Sequence, residues 1–117
     1  MFGDGQSTRD YTFIDDVVDG IILSAERCEG WNIYNLGNAS PVTLKQMIEA
    51  VGEACGREPI IEKLADQPGD VPLTFADISA AKRDLGYEPK SSLIEGIKCY
   101  RDWLSKNSFR KELEKNG

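Results

Sequence analysis

The sequence contains no histidine. That absence removes the commonest general base, the Ser–His and Cys–His nucleophile pairs, and most zinc sites. Cysteine is scarce and odd in number: Cys28, Cys55 and Cys99 stand far apart. Such spacing argues against a disulfide framework and for a reducing compartment. The expectation is three half-buried structural thiols in a cytoplasmic protein, with no metal or redox centre. Basic residues are outnumbered, 14 Lys and Arg against 20 Asp and Glu, giving a formal charge of -6 at pH 7. A nucleic-acid partner requires a basic stripe, and none is present. No apolar run approaches the ~20 residues of a membrane span, and no basic amphipathic run suits a membrane surface. The opening residues, FGDGQSTRD, carry neither the charged nor the apolar region of a secretory signal. Two phosphate-binding signatures are missing as well: no G-x-G-x-x-G follows a strand, and no G-x-x-x-x-G-K-[ST] loop occurs.

What is present reads as one soluble domain. The chain has 117 residues, 40% of them hydrophobic and 29% charged, long enough to bury a core. A turn-rich start (Gly3, Asp4, Gly5, Ser7) leads into Arg9–Ile14, which alternates like a short strand. Asp15 or Asp16 then caps a helix whose apolar positions Val17, Val18, Ile21, Ile22 and Ala25 fall on one face, with Gly30 as its stop. Trp31–Leu36 alternates and reads as a second strand. Thr43 and Gln46 have the spacing of a capping box. The helix they open carries Leu44, Met47, Ile48, Val51 and Cys55 on one side and ends at Gly56. Pro59–Leu64 is a third strand candidate. Asp77 or Ser79 opens a short helix ending before Gly86. Ser92 and Glu95 form a second capping box for a helix with Leu93, Ile97, Tyr100 and Leu104 inward. Residues from about 107 onward read as a charged tail. The expected fold is α/β, a small mixed sheet of about three short strands with four helices. That is too little sheet for a complete doubly wound domain. Trp31 and Trp103 are expected to be core or half-buried.

No catalytic set emerges from these residues. Asp15 and Asp16 are adjacent carboxylates, but their place ahead of an apolar stripe suits helix-end stabilisation better than acid–base work. Arg9, Tyr11, Asn38, Gln67 and Asp70 could hold a ligand; each taken singly reads more readily as a surface or turn residue.

Taken in order, several blocks form a pattern. Phe2-Gly3-Asp4-Gly5, Thr8-Arg9-Asp10-Tyr11 and Ile14-Asp15-Asp16-Val17 come first. Asn32–Gly37, Gln67-Pro68-Gly69-Asp70-Val71, Thr74–Ser79 and Leu85–Pro89 follow. The set resembles the C-terminal part of the extended short-chain dehydrogenase/reductases that act on nucleotide sugars. The Gln-Pro-Gly-Asp-Val form looks most like the UDP-glucuronate 4-epimerases, with dTDP-glucose 4,6-dehydratases and UDP-glucose 4-epimerases close behind. The resemblance implies a C-terminal lobe of a Rossmann-type enzyme over residues 1–106 and a tail over 107–117. In that family an N-terminal Rossmann domain binds NAD and carries a Tyr-x-x-x-Lys pair. No tyrosine here has a lysine four residues on. The expectation is therefore a piece of a longer enzyme: no NAD bound by this chain, NAD in the parent, and the missing Rossmann domain as partner, with a homodimer as a further possibility. The substrate implied is a nucleotide sugar, most readily a UDP-sugar. Carried over by position, Arg9 contacts its diphosphate, Tyr11 lines the pocket near the nucleotide, and Asp70 sits near the ribose. Gln67 stands where several relatives have a second arginine, replacing a charge with an amide. A dehydratase lobe and a stand-alone module that binds a nucleotide sugar or a protein partner are the alternatives.

Overall fold

The computed structural model describes residues 1–106; the tail expected over 107–117 lies outside them. Six elements follow one another: β1 (Thr8–Arg9), α1 (Ile14–Arg27), β2 (Val42–Thr43), α2 (Leu44–Cys55), α3 (Ser79–Leu85) and α4 (Leu93–Lys106). The four expected helices are present. β1 and β2 pair antiparallel, Thr8 opposite Thr43 and Arg9 opposite Val42. Two single parallel bridges, Phe2 with Leu64 and Thr8 with Leu73, join distant segments to this ribbon and make the pairing mixed.

The strands are shorter than the alternation suggested. The first stops at Arg9, and Pro59–Leu64 contributes only the bridge at Leu64. Trp31–Leu36 is in no ladder among the described residues. Alternation marks a segment able to join a sheet, but a strand also needs a neighbour ~4.8 Å away to take its backbone hydrogen bonds.

Local chemistry explains the helix ends. The Thr43 hydroxyl accepts from the Gln46 N–H at 3.1 Å, and the Gln46 side chain accepts from the Thr43 N–H at 2.8 Å. Ser92 and Glu95 repeat the exchange, with the Ser92 N–H donating to Glu95 at 3.1 Å. At the far end of α2, Gly56 adopts φ +62°, a left-handed turn open to glycine at little cost. Asp77 accepts from the Ser79 N–H and hydroxyl ahead of α3. α1 departs from expectation. Its N-cap is Phe13, with no side-chain cap, and it ends at Arg27 rather than near Gly30. Neither Asp15 nor Asp16 caps it; both sit in its first turn.

Asp16 is committed elsewhere. Only 3% exposed, its carboxylate accepts from the N–H groups of Lys90 at 2.9 Å and Ser91 at 3.0 Å, tying α1 to the entry of α4. Burial would raise this carboxyl's pKa. The backbone bonds from Lys90 and Ser91, the Ser91 hydroxyl and the Lys90 charge outweigh it and hold the carboxyl below its ordinary value.

The core is small. Ala81, Leu85 and Tyr87 are buried together, and Leu23, Cys28, Tyr34, Leu36 and Ile78 pack around them. The Tyr87 hydroxyl donates to the Gly37 carbonyl at 3.0 Å. Burial, together with the charges of Asp16, Asp10 and Asp19, pushes its pKa up. α1 reaches this core through Gly20, where a Cβ would stand 2.7 Å from both Leu36 methyls. That close approach selects the inward face. Asp16, Gly20 and Leu23 turn in, while Val18, Ile21, Ile22 and Ala25, expected inside, are exposed and only Val17 is half-buried. Tyr100 on α4, expected inward, also lies exposed, as do Val51 and Cys55 on the apolar side of α2.

α1 packs on α3, and α2 packs on α4. The shape is open, with a radius of gyration of 17.1 Å against ~13 Å for a close-packed domain of about 100 residues. Trp31 is 84% exposed and Ile33 74%, which corrects the expectation of a packed Trp31. Trp103 is also mostly exposed and stacks on Tyr100, ring centroids 5.8 Å apart. All three cysteines are free; Cys28 is half-buried against the core, and Cys55 and Cys99 are exposed. No helix among the described residues is long and apolar enough to cross a membrane.

Candidate functional site

The N-terminal turn, β1 and the loop 65–72 enclose the candidate site. Gly3 (φ +63°) and Gly5 (φ +80°) both adopt the left-handed conformation, which folds the chain back on itself. Gly3 is also the closest approach in the region, since a Cβ there would lie 2.0 Å from the Asp66 carboxylate. Backbone bonds fix the loop at both ends. The Gly3 N–H donates to Leu64 at 3.0 Å, the Leu64 N–H to Met1 at 2.8 Å, and the Thr8 N–H to Pro72 at 2.8 Å. Between these anchors, Gln67 and Asp70 close a turn in which the Asp70 N–H donates to the Gln67 carbonyl at 3.2 Å.

The result is an open cleft of about 310 Å³, whose walls include Phe2, Asp4, Ser7, Asp66, Gln67 and Asp70. A second cleft, about 390 Å³, has Arg9, Asn35, Thr74 and Phe75 among its walls. Arg9 and Asp70 link the two. The Arg9 Nη2 donates to Asp70 Oδ1 across 61 residues of sequence, and its Nη1 donates to the Thr8 carbonyl at 2.8 Å. These contacts use two of the guanidinium's five N–H donors. The side chains are 28% and 50% exposed. Ion pairs this wet contribute only about 0.2–1 kcal/mol, so a better anion can displace the carboxylate.

The structure thus brings three of the five candidate residues together. Arg9 meets Asp70, and Asp70 shares a cleft with Gln67. Tyr11 is half-buried just beyond β1 and is not among the wall residues of either cleft. Asn38 likewise lines neither.

Asp10, which the sequence did not single out, holds the second cleft in shape. One of its carboxylate oxygens accepts from the N–H groups of Ala39 at 3.0 Å and Ala76 at 3.3 Å, the other from Ser40 at 3.4 Å. Ala39 sits at φ +51°, an unusual conformation for a residue with a Cβ, and this clasp helps to hold it there. Gly37 packs beside the same carboxylate, where a Cβ would meet Ala76 at 2.5 Å. Phe2 and Asp4 were also passed over as wall residues. The signal that could have found them is the Phe2–Gly5 turn itself, which faces a loop 60 residues away.

A family model described as GDP-mannose 4,6 dehydratase matches residues 1–100. The UDP-glucuronate 4-epimerase of Thermodesulfobacterium geofontis is 40% identical over 108 residues, covering 92% of this chain and 33% of that one. Among solved structures, the UDP-glucuronic acid 4-epimerase of Bacillus cereus, in complex with UDP-glucuronic acid and NAD, superimposes with a TM-score of 0.82. It is 30% identical, over 91% of this chain and 34% of its own. The UDP-glucose 4-epimerase of Thermotoga maritima with UDP-glucose gives the same TM-score at 36% identity, again over 91% and 34%. The chain therefore spans about a third of the length of the relatives it matches.

Proposed function

This chain belongs to the extended short-chain dehydrogenase/reductases of the nucleotide-sugar epimerase and dehydratase family, and from that membership we propose that it is the substrate-binding portion of an NAD-dependent UDP-sugar 4-epimerase. The observation that carries the reading is the pairing of Arg9 with Asp70, which joins the cleft walled by Gln67, Asp70 and Val71 to the one walled by Arg9. A guanidinium fork matches the oxygens of a diphosphate, and a carboxylate beside it accepts hydrogen bonds from a ribose diol. Gln67 adds amide donors without charge, and Tyr11 adds an aromatic wall once the remaining parts of the enzyme enclose the substrate. UDP-glucuronate is the substrate we favour, because the Gln-Pro-Gly-Asp-Val loop resembles that of the UDP-glucuronate 4-epimerases and proteins of that name are among those the chain matches.

The chain's own residues do not fit NAD. Gly3 and Gly5 lie in a turn that runs into β1 rather than opening a helix, so no helix N-terminus backs it. No Tyr-x-x-x-Lys pair occurs. We assign the cofactor and the catalytic pair to a Rossmann portion of a longer protein, with this lobe supplying orientation and binding energy. The exposed apolar side chains Ile14, Val18 and Ile21 of α1, with Trp31 and Ile33 beyond its end, support that assignment, since exposure of so many large side chains calls for a covering surface. Three free thiols suit the cytoplasm.

Calorimetric titration of UDP-glucuronate into the chain tests the reading, with Arg9→Ala as control. Weak binding is expected, with loss of about tenfold or more in the variant, since a charge-assisted bond contributes ~1.5–3 kcal/mol. Equal affinities for the two proteins would refute it. So would turnover by the chain alone, which would contradict the assignment of catalysis elsewhere.

A further inference from the structure

We propose that Asp70 is a specificity-determining residue that filters anions: it competes for Arg9, so only a ligand carrying both a diphosphate and adjacent hydroxyl groups makes a complete exchange. The inference rests on the binding role proposed above for Arg9. It goes further in giving Asp70 a second task besides contact with the ligand.

The geometry gives the reason. Asp70 is bound to the Arg9 guanidinium, and it lines one cleft while Arg9 lines the other. Any phosphate that reaches Arg9 must displace the carboxylate or settle beside its negative charge. Asp4 and Asp66 line the same cleft as Asp70, so a displaced carboxylate finds no cation among these neighbours. Inorganic phosphate or pyrophosphate offers it nothing, because at neutral pH these ions are chiefly acceptors. A ribose diol offers two O–H donors. A nucleoside diphosphate therefore satisfies both halves of the broken pair, and a simple anion satisfies only one. The loop is built to hold the filter in place. Its ends are pinned by the Leu64 and Pro72 backbone bonds, and Asp70 itself is held in a turn on Gln67. The pair is partly exposed, so it discriminates without locking the site.

The experiment compares the chain with Asp70→Asn by calorimetric titration of inorganic pyrophosphate and of UDP. Asp66→Asn, which removes an equal charge from the same cleft, is the control. Asp70→Asn is expected to bind pyrophosphate about two- to fivefold tighter than the parent chain, the range expected from releasing an exposed pair. UDP is expected to gain less or to weaken, so the preference for UDP over pyrophosphate falls. Asp66→Asn is expected to leave that preference unchanged. Pyrophosphate affinity that is unchanged or weaker in Asp70→Asn overturns the proposal, as does an equal gain in Asp66→Asn, which would make the effect one of net charge. If UDP still loses affinity on Arg9→Ala while these ratios do not move, the binding role of Arg9 stands and the filter alone falls. If Arg9→Ala leaves UDP binding intact, both fall.

Discussion

Replacing Asp16 with asparagine is expected to remove a joint on which the whole lobe depends. The Asp16 carboxylate is 3% exposed and accepts two backbone N–H bonds, at 2.9 and 3.0 Å, from the residues leading into α4. Asparagine keeps one acceptor and turns an N–H2 group toward the other donor, leaving a buried N–H unsatisfied. A hydrogen bond to a charged group is worth ~1.5–3 kcal/mol, and an orphaned buried donor adds a cost of similar size. The expected loss is therefore about 2–4 kcal/mol at neutral pH, a large share of the stability of a domain this size. The pH dependence gives a second handle. The folded carboxyl has its pKa lowered, so its contribution is fully present above the unfolded value of ~3.9 and is lost as pH falls through the lower folded value. The gap between parent and variant should be constant from pH 7 to about 5 and should narrow on further acidification. Urea unfolding followed by circular dichroism at a series of pH values measures both quantities. A variant within 0.5 kcal/mol (roughly the spread of neutral surface changes) of the parent at pH 7 would refute the reasoning, as would a gap that widens in acid.

Two further substitutions test the core. Tyr87→Phe deletes the hydroxyl that bonds the Gly37 carbonyl at 3.0 Å and strands that acceptor in a buried position, so thermal denaturation should show a loss of about 1–3 kcal/mol. Gly20→Ala places a methyl 2.7 Å from the Leu36 methyls and 3.0 Å from the Tyr87 ring. Overpacking there should cost about 1–3 kcal/mol, although alanine is the better helix former; a stabilised variant would show that α1 stands off the core.

What could be read from the sequence was mostly local. Both capping boxes, at Thr43–Gln46 and Ser92–Glu95, act over three residues, and both are present as expected. Gly56 and Gly86 end their helices because only the chain immediately before them matters. The misreadings share a different cause. Asp16 looked like a cap because its partners are 74 and 75 residues away. Asp10 was passed over for the same reason; its bonds reach 29, 30 and 66 residues along the chain. Val18, Ile21 and Trp31 were expected inside because periodicity marks a face suited to burial without saying what buries it. The pairing of Arg9 with Asp70 spans 61 residues, and neither residue announces the other. Their association was legible only through the order of blocks shared with the nucleotide-sugar enzymes.

The most direct test of the central claim is phosphorus NMR of UDP titrated with the chain. Both phosphorus resonances should shift or broaden with the parent protein and stay unperturbed with Arg9→Ala at the same concentration. Perturbation of the diphosphate that survives the loss of Arg9, or none with either protein, would contradict the assignment of this guanidinium as the diphosphate ligand.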